Sequence, residues 1–150
     1  MESSRRASVL VVAHKTAATP ALLAAIGERA AAGPADFHLL VPNHFPTAWA
    51  PTEAERRHRL EEGEHVLALA LPLIEEAVGG RADGTVSVRQ DPMDAIEEAL
   101  HDGSFDEIIL STLPRSVSRW LHVDLPHRVA HLGLPLTTVI ARERSPAHLG

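Results

Sequence analysis

Five consecutive residues, Val9-Leu10-Val11-Val12-Ala13, are apolar without a break, and His14-Lys15 ends the run. A segment this short that shows no polar face suits a strand covered on both sides. Strands of that kind belong to parallel sheets, whose crossover helices cover both faces. Similar short segments recur at Phe37-His38-Leu39-Leu40-Val41, Glu107-Ile108-Ile109-Leu110-Ser111 and Leu136-Thr137-Thr138-Val139-Ile140. Thr85-Val86-Ser87-Val88-Arg89 alternates and reads as a further strand, third in chain order.

Helical patterns separate these strands. Thr19-Pro20 is an N-cap and first-turn pair, followed by Leu22, Ala25, Ile26 and Ala30 at helical spacing and stopped by Gly33-Pro34. Pro42 to Pro51 reads as a loop. Thr52 and Glu55 have the spacing of a capping box. A long helix follows, with Leu60, Gly63, Leu67, Leu71, Ile74 and Val78 on one stripe, a kink expected at Pro72, and an end at Gly79-Gly80. Asp91-Pro92 opens a helix that Gly103 closes. Asp124 is expected to cap a last helix, with Gly133 beyond its end. Strand and helix thus repeat four times before a final strand. Right-handed crossovers then give one α/β domain, a doubly wound, Rossmann-like five-stranded parallel sheet with helices on both faces. The domain is expected over residues 8–141, with flexible segments at 1–7 and 142–150.

Composition narrows the function classes. The 150 residues contain no cysteine, which excludes disulfides and thiolate metal sites and fits a cytoplasmic protein. The net charge of −6 gives no electrostatic footprint for nucleic acid. Ser4-Arg5-Arg6 has the outline of a twin-arginine export signal, but the apolar run behind it is too short. No apolar stretch has membrane-spanning length, so no membrane partner is expected.

In a doubly wound sheet, ligands bind beyond the C-terminal strand ends, where the strand order reverses. His14, Lys15 and Thr16 follow the first strand there, and Val41, Asn43 and His44 come at and after the second. Ser111, Thr112, Arg115, Ser116, Ser118 and Arg119 come at and after the fourth, with Asp124, His127 and Arg128 at the last helix. Two guanidiniums and two hydroxyls in Arg115–Arg119 suit an oxyanion or phosphate. The competing expectation is that Arg119 and Arg128 pair with Asp124 and stiffen the loop. Trp120 and Leu121 are expected to anchor that loop to the core. Ten histidines are many for this length, and His127 and His131 share a helix face. A metal site from His14, Asp124 and His127, or a triad from Ser111, His127 and Asp124, rests only on residue types, because no specific metal or catalytic motif occurs.

The element order resembles the universal stress protein family over about residues 8 to 141. The last third carries most of the resemblance: Asp106-Glu107-Ile108-Ile109-Leu110, a Ser/Arg loop, Val129-Ala130, and the ending Leu134-Pro135-Leu136-Thr137-Thr138-Val139-Ile140. The resemblance implies a homodimer through the last strand, with Leu136, Thr138 and Ile140 at its interface. The family's ATP-binding branch carries glycines after the fourth strand that let backbone approach phosphate. Ser111, Pro114, Asp124 and Leu125 stand at the equivalent positions. His14 aligns with the family's aspartate after the first strand, and Asp91 with its glycine after the third.

The resemblance therefore implies a non-enzymatic small-ligand sensor or interaction module with an altered or lost nucleotide pocket. One alternative is an ATP-, AMP- or other phosphorylated-ligand-binding protein using Arg115 and Arg119. Another is a metal-dependent hydrolase using His14, Asp124 and His127.

Overall fold

The computed structural model describes residues 6–42, 52–89, 91–114, 120 and 124–141. Its strands are β1 (Ala7–Val12), β2 (Ala35–Val41), β3 (Ala82–Val86), β4 (Glu107–Thr112) and β5 (Leu136–Ile140). Its helices are α1 (Pro20–Ala32), α2 (Glu53–Val78), α3 (Pro92–Asp102) and α4 (Leu125–Ala130). All pairings are parallel, in the order β3-β2-β1-β4-β5. The unbroken apolar run becomes the central strand, and Val9 to Val12 are fully buried.

Alternation along β1 divides the core into two layers. Val9 and Val11 pack with Leu22 and Ile26 of α1 and with Ala70 and Ile74 of α2. Leu10 and Val12 face the other way, against Met93 and Ile96 of α3, Leu125 and Val129 of α4, and Trp120. The sheet is therefore doubly wound, as the helical crossovers require. Trp120 is 7% exposed and belongs to this second layer, as expected of an anchor.

The helix ends follow the capping chemistry. Thr52 and Glu55 form the reciprocal capping box, at 3.1 Å from Glu55 N to Thr52 Oγ1 and 2.8 Å from Thr52 N to Glu55 Oε1. Asp91 accepts from Met93 N at 2.9 Å. Gly79 ends α2 in the left-handed region at φ 70°. Pro72 lies inside α2, which runs on to Val78.

Asp124 departs from its expected role. It precedes α4, but its side chain makes no cap hydrogen bond and its backbone is left-handed, at φ 58° and ψ 38°. A backbone turned that way does not have the extended conformation from which an N-cap side chain reaches the helix amides.

The third strand also departs from its expected span of 85–89. It begins three residues earlier and ends at Val86, which is the partner of Val41. Beyond Val41 the neighbouring chain continues into Pro42, which has no N–H for a ladder. Ser87 N still reaches Val41 O at 2.9 Å, but Val88 stands 67% exposed. Ala82, Gly84 and Val86 face α2 instead. A Cβ on Gly84 would lie 2.8 Å from the Leu39 carbonyl oxygen and would also meet Leu67. The missing side chain is thus what lets α2 lie close to the sheet edge.

Candidate functional site

Strand order reverses between β1 and β4. The chain leaves β1 toward β2 and β3, then crosses to the opposite side for β4 and β5. Their C-terminal tips bound the crevice where doubly wound folds hold ligands.

After β1, residues 14–18 form a tight turn that leads into α1. Ala17 N donates to His14 O at 3.2 Å, and Thr19 N and Oγ1 both donate to Thr16 O, at 3.1 and 2.9 Å. That turn swings Thr16 across to β4. The Thr16 and Ser111 hydroxyls meet at 2.6 Å, both buried. Next along β4, Thr112 is buried with no hydrogen-bond partner for Oγ1 among the described residues, while its carbonyl accepts from Ala141 N at 2.9 Å.

His14 is buried beside this junction. Burial holds its imidazole below the ordinary histidine range. Lys15 and Arg59 push the same way, and Glu62 of α2 opposes them. Lys15 itself is exposed, and Val41 is fully buried at the β2 tip.

The remaining candidates make no hydrogen bond to this junction or lie outside the described residues. His44, Arg115, Ser116, Ser118 and Arg119 are outside them. His127 is exposed on α4, and its Nε2 lies 3.0 Å from His131 Nε2. No hydrogen bond among the described residues joins Ser111, His127 and Asp124. Nor do His14, Asp124 and His127 form a three-donor metal cluster there.

Arg128 corrects another expectation. Its Nη2 lies 3.4 Å from Asp91 Oδ2, so it pairs with the start of α3 rather than with Asp124. The left-handed turn at Asp124 gives no side-chain bond back into α4.

A polar cluster that sequence reasoning missed lies on the α3 side of the β2–β3 edge. His38 is registered opposite Asp83, with Thr85 two residues on. Its Nδ1 lies 2.8 Å from Asp83 Oδ1 and its Nε2 2.7 Å from Thr85 Oγ1. His38 and Thr85 line a cavity of about 330 Å³, together with Leu40, Ala95, Ala99 and Phe105. The order carboxylate, imidazole, hydroxyl is that of an acyl-transfer triad. Here, however, the Asp83 side chain is 81% exposed, whereas a triad carboxylate is buried to orient its imidazole. The cluster is a set of cross-strand polar pairs that fastens the edge strand. The signal available in the sequence was Asp83 and Thr85 at alternate positions. Finding it required the β3 register.

No protein-family model and no curated protein matches the sequence. Solved structures do. The universal stress protein from Archaeoglobus fulgidus in complex with dAMP is similar at TM-score 0.60 and 15% identity, covering 91% of this chain and 99% of that one. A protein of the universal stress protein family from Burkholderia pseudomallei is similar at TM-score 0.63 and 21% identity, covering 91% and 98%. A universal stress protein family protein from Arabidopsis thaliana with AMP bound is similar at TM-score 0.61 and 17% identity, covering 91% and 92%. With the strand order and the two helix layers already described, these similarities establish that the chain has the universal stress protein fold.

Proposed function

We propose that this chain is a small-ligand sensor or interaction module of universal-stress-protein type whose nucleotide crevice is altered. The observation that carries the reading is the 2.6 Å contact between Thr16 and Ser111 across the switch point. Ser111 stands where the resemblance calls for glycine, and its hydroxyl occupies space that a glycine leaves open to phosphate. The left-handed turn at Asp124 fits the same reading, because it keeps a glycine-type backbone while adding a carboxylate on the phosphate side.

Native mass spectrometry of protein purified without added nucleotide tests this reading. It is expected to show no stoichiometric ATP, and a full complement of bound ATP would overturn it.

The dAMP and AMP complexes of the similar structures support a second reading, an adenine-nucleotide site that persists with different donors. Arg115 and Arg119 are its candidate anion donors. On that reading Arg119→Ala weakens AMP or ATP binding by roughly 1.5–3 kcal/mol, the worth of one charged hydrogen bond. Unchanged affinity in a calorimetric titration would count against it.

The same module is proposed to pair with a second copy through β5. This strand is at the sheet edge, and Leu136, Thr138 and Ile140 alternate along one face of it. Ile140 is 49% exposed, an apolar side chain on an open edge of the kind that another chain covers. Thr138→Pro removes an edge donor and is expected to convert a dimer to a monomer in light scattering. A parent protein that is already monomeric would refute the pairing.

A further inference from the structure

We propose that His127 and His131 form a solvent-facing, two-donor site for a divalent ion of the copper or nickel class. His127 lies in α4 and His131 is the residue that closes that helix. Their spacing of four puts both rings on one face. The rings meet edge to face at 86°, with centroids 4.5 Å apart, and their Nε2 atoms are 3.0 Å apart. At that contact one ring donates its N–H and the other offers a lone pair. To bind a metal ion, the donating ring shifts its proton from Nε2 to Nδ1, and both Nε2 atoms then offer lone pairs to an ion beside the N···N line.

The separation favours one coordination geometry. Two nitrogens about 2.1 Å from a common ion stand about 3.0 Å apart at a right angle, and about 3.4 Å apart at the tetrahedral angle of structural zinc sites. Right-angled neighbours belong to tetragonal and square-planar ions, for which imidazole is a suitable donor.

The local charge allows this. Arg128, beside His127 in sequence, is directed to Asp91, the residue that caps α3. No third His, Asp or Glu among the described residues joins the pair. Water or a donor beyond the described residues completes the shell, and the ion stays open to an exogenous ligand.

Copper(II) or nickel(II) alone, titrated into tag-free, chelator-stripped protein, tests the proposal by calorimetry. Paramagnetic resonance of the copper form gives a second readout. The expected result is one ion per chain, with coupling to two imidazole nitrogens. His127→Ala and His131→Ala should each weaken binding by roughly ten-fold or more, because each leaves a single ligand. His101→Ala, at an exposed position on α3, should bind as the parent does. Both ligand positions are exposed, so these variants keep the core, and circular dichroism will show it. Parent-like affinity in either ligand variant, two-nitrogen coupling that survives in both, or no binding at about 100 µM ion, a weak-site threshold, overturns the assignment.

Discussion

Thr16 and Ser111 are 95 residues apart in sequence, yet their hydroxyls lie 2.6 Å apart inside the protein. The bond joins the turn after β1 to the tip of β4. Thr16→Val preserves shape but strands the Ser111 hydroxyl. The expected cost is about 1–3 kcal/mol in urea unfolding, the penalty for a buried polar group that loses its partner. Adding Ser111→Ala should recover part of that loss, because no orphaned hydroxyl then remains. A double variant whose loss equals the sum of the single losses would show the two groups to be energetically uncoupled.

Asp91 has two jobs, and two substitutions separate them. It caps α3 at Met93 N and faces Arg128 across the protein. Asp91→Asn keeps the cap and removes the charge, so its cost should stay within about 1 kcal/mol for a half-exposed pair and shrink in salt. Asp91→Ala loses both, and about 0.5–2 kcal/mol is expected from the cap alone. Thermal unfolding at low and high salt distinguishes the contributions.

Gly84→Ala is expected to destabilise by about 1–3 kcal/mol, the usual range for forcing extra volume into a packed site. The added methyl meets the Leu39 carbonyl, which cannot move without disturbing the β2–β3 ladder. Chemical denaturation measures it, and a neutral result would mean that α2 and the sheet edge yield easily.

At Asp124 the backbone, not the side chain, sets the requirement. Asp124→Gly should lie within about 0.5 kcal/mol of the parent, since glycine accepts the left-handed region freely. Asp124→Ala should cost up to about 1 kcal/mol, because Asp enters the left-handed region more readily than Ala does. The ranking of the two in urea unfolding is the readout.

His14 links stability to acidity. Its folded-state affinity for protons is lowered by burial, with Lys15 and Arg59 adding to the effect and Glu62 opposing it. In the unfolded chain it takes up a proton near pH 6.5, before the folded protein does. The unfolded state then binds more protons, so this contribution is complete above about pH 6.5 and is lost as pH falls toward the folded value. His14→Gln should flatten the decline in stability below that pH relative to the parent. Parallel pH profiles would remove His14 from the account.

The sequence was most informative where a feature depends on neighbours in the chain. The Thr52–Glu55 box, the start of α3 at Asp91-Pro92 and the final strand at 136–140 all appear where local chemistry puts them. It was least informative where the decisive partner is remote. The span of β3 depends on where β2 stops. The partner of Arg128 depends on how α4 lies against α3, and the cluster of His38, Asp83 and Thr85 depends on cross-strand register. The meeting of Thr16 with Ser111 follows from strand order, which local propensity does not encode.

The middle position of β1 also bears on how the protein is made. One flank of this strand finds its mate within the first 41 residues, where Ala7 aligns with Ala35 and Val12 with Leu40. The other flank waits for Glu107 to Leu110. During synthesis the buried central strand thus keeps one hydrogen-bonding side open until residues 107–110 have emerged, an interval in which non-local pairing is slow and self-association competes with it.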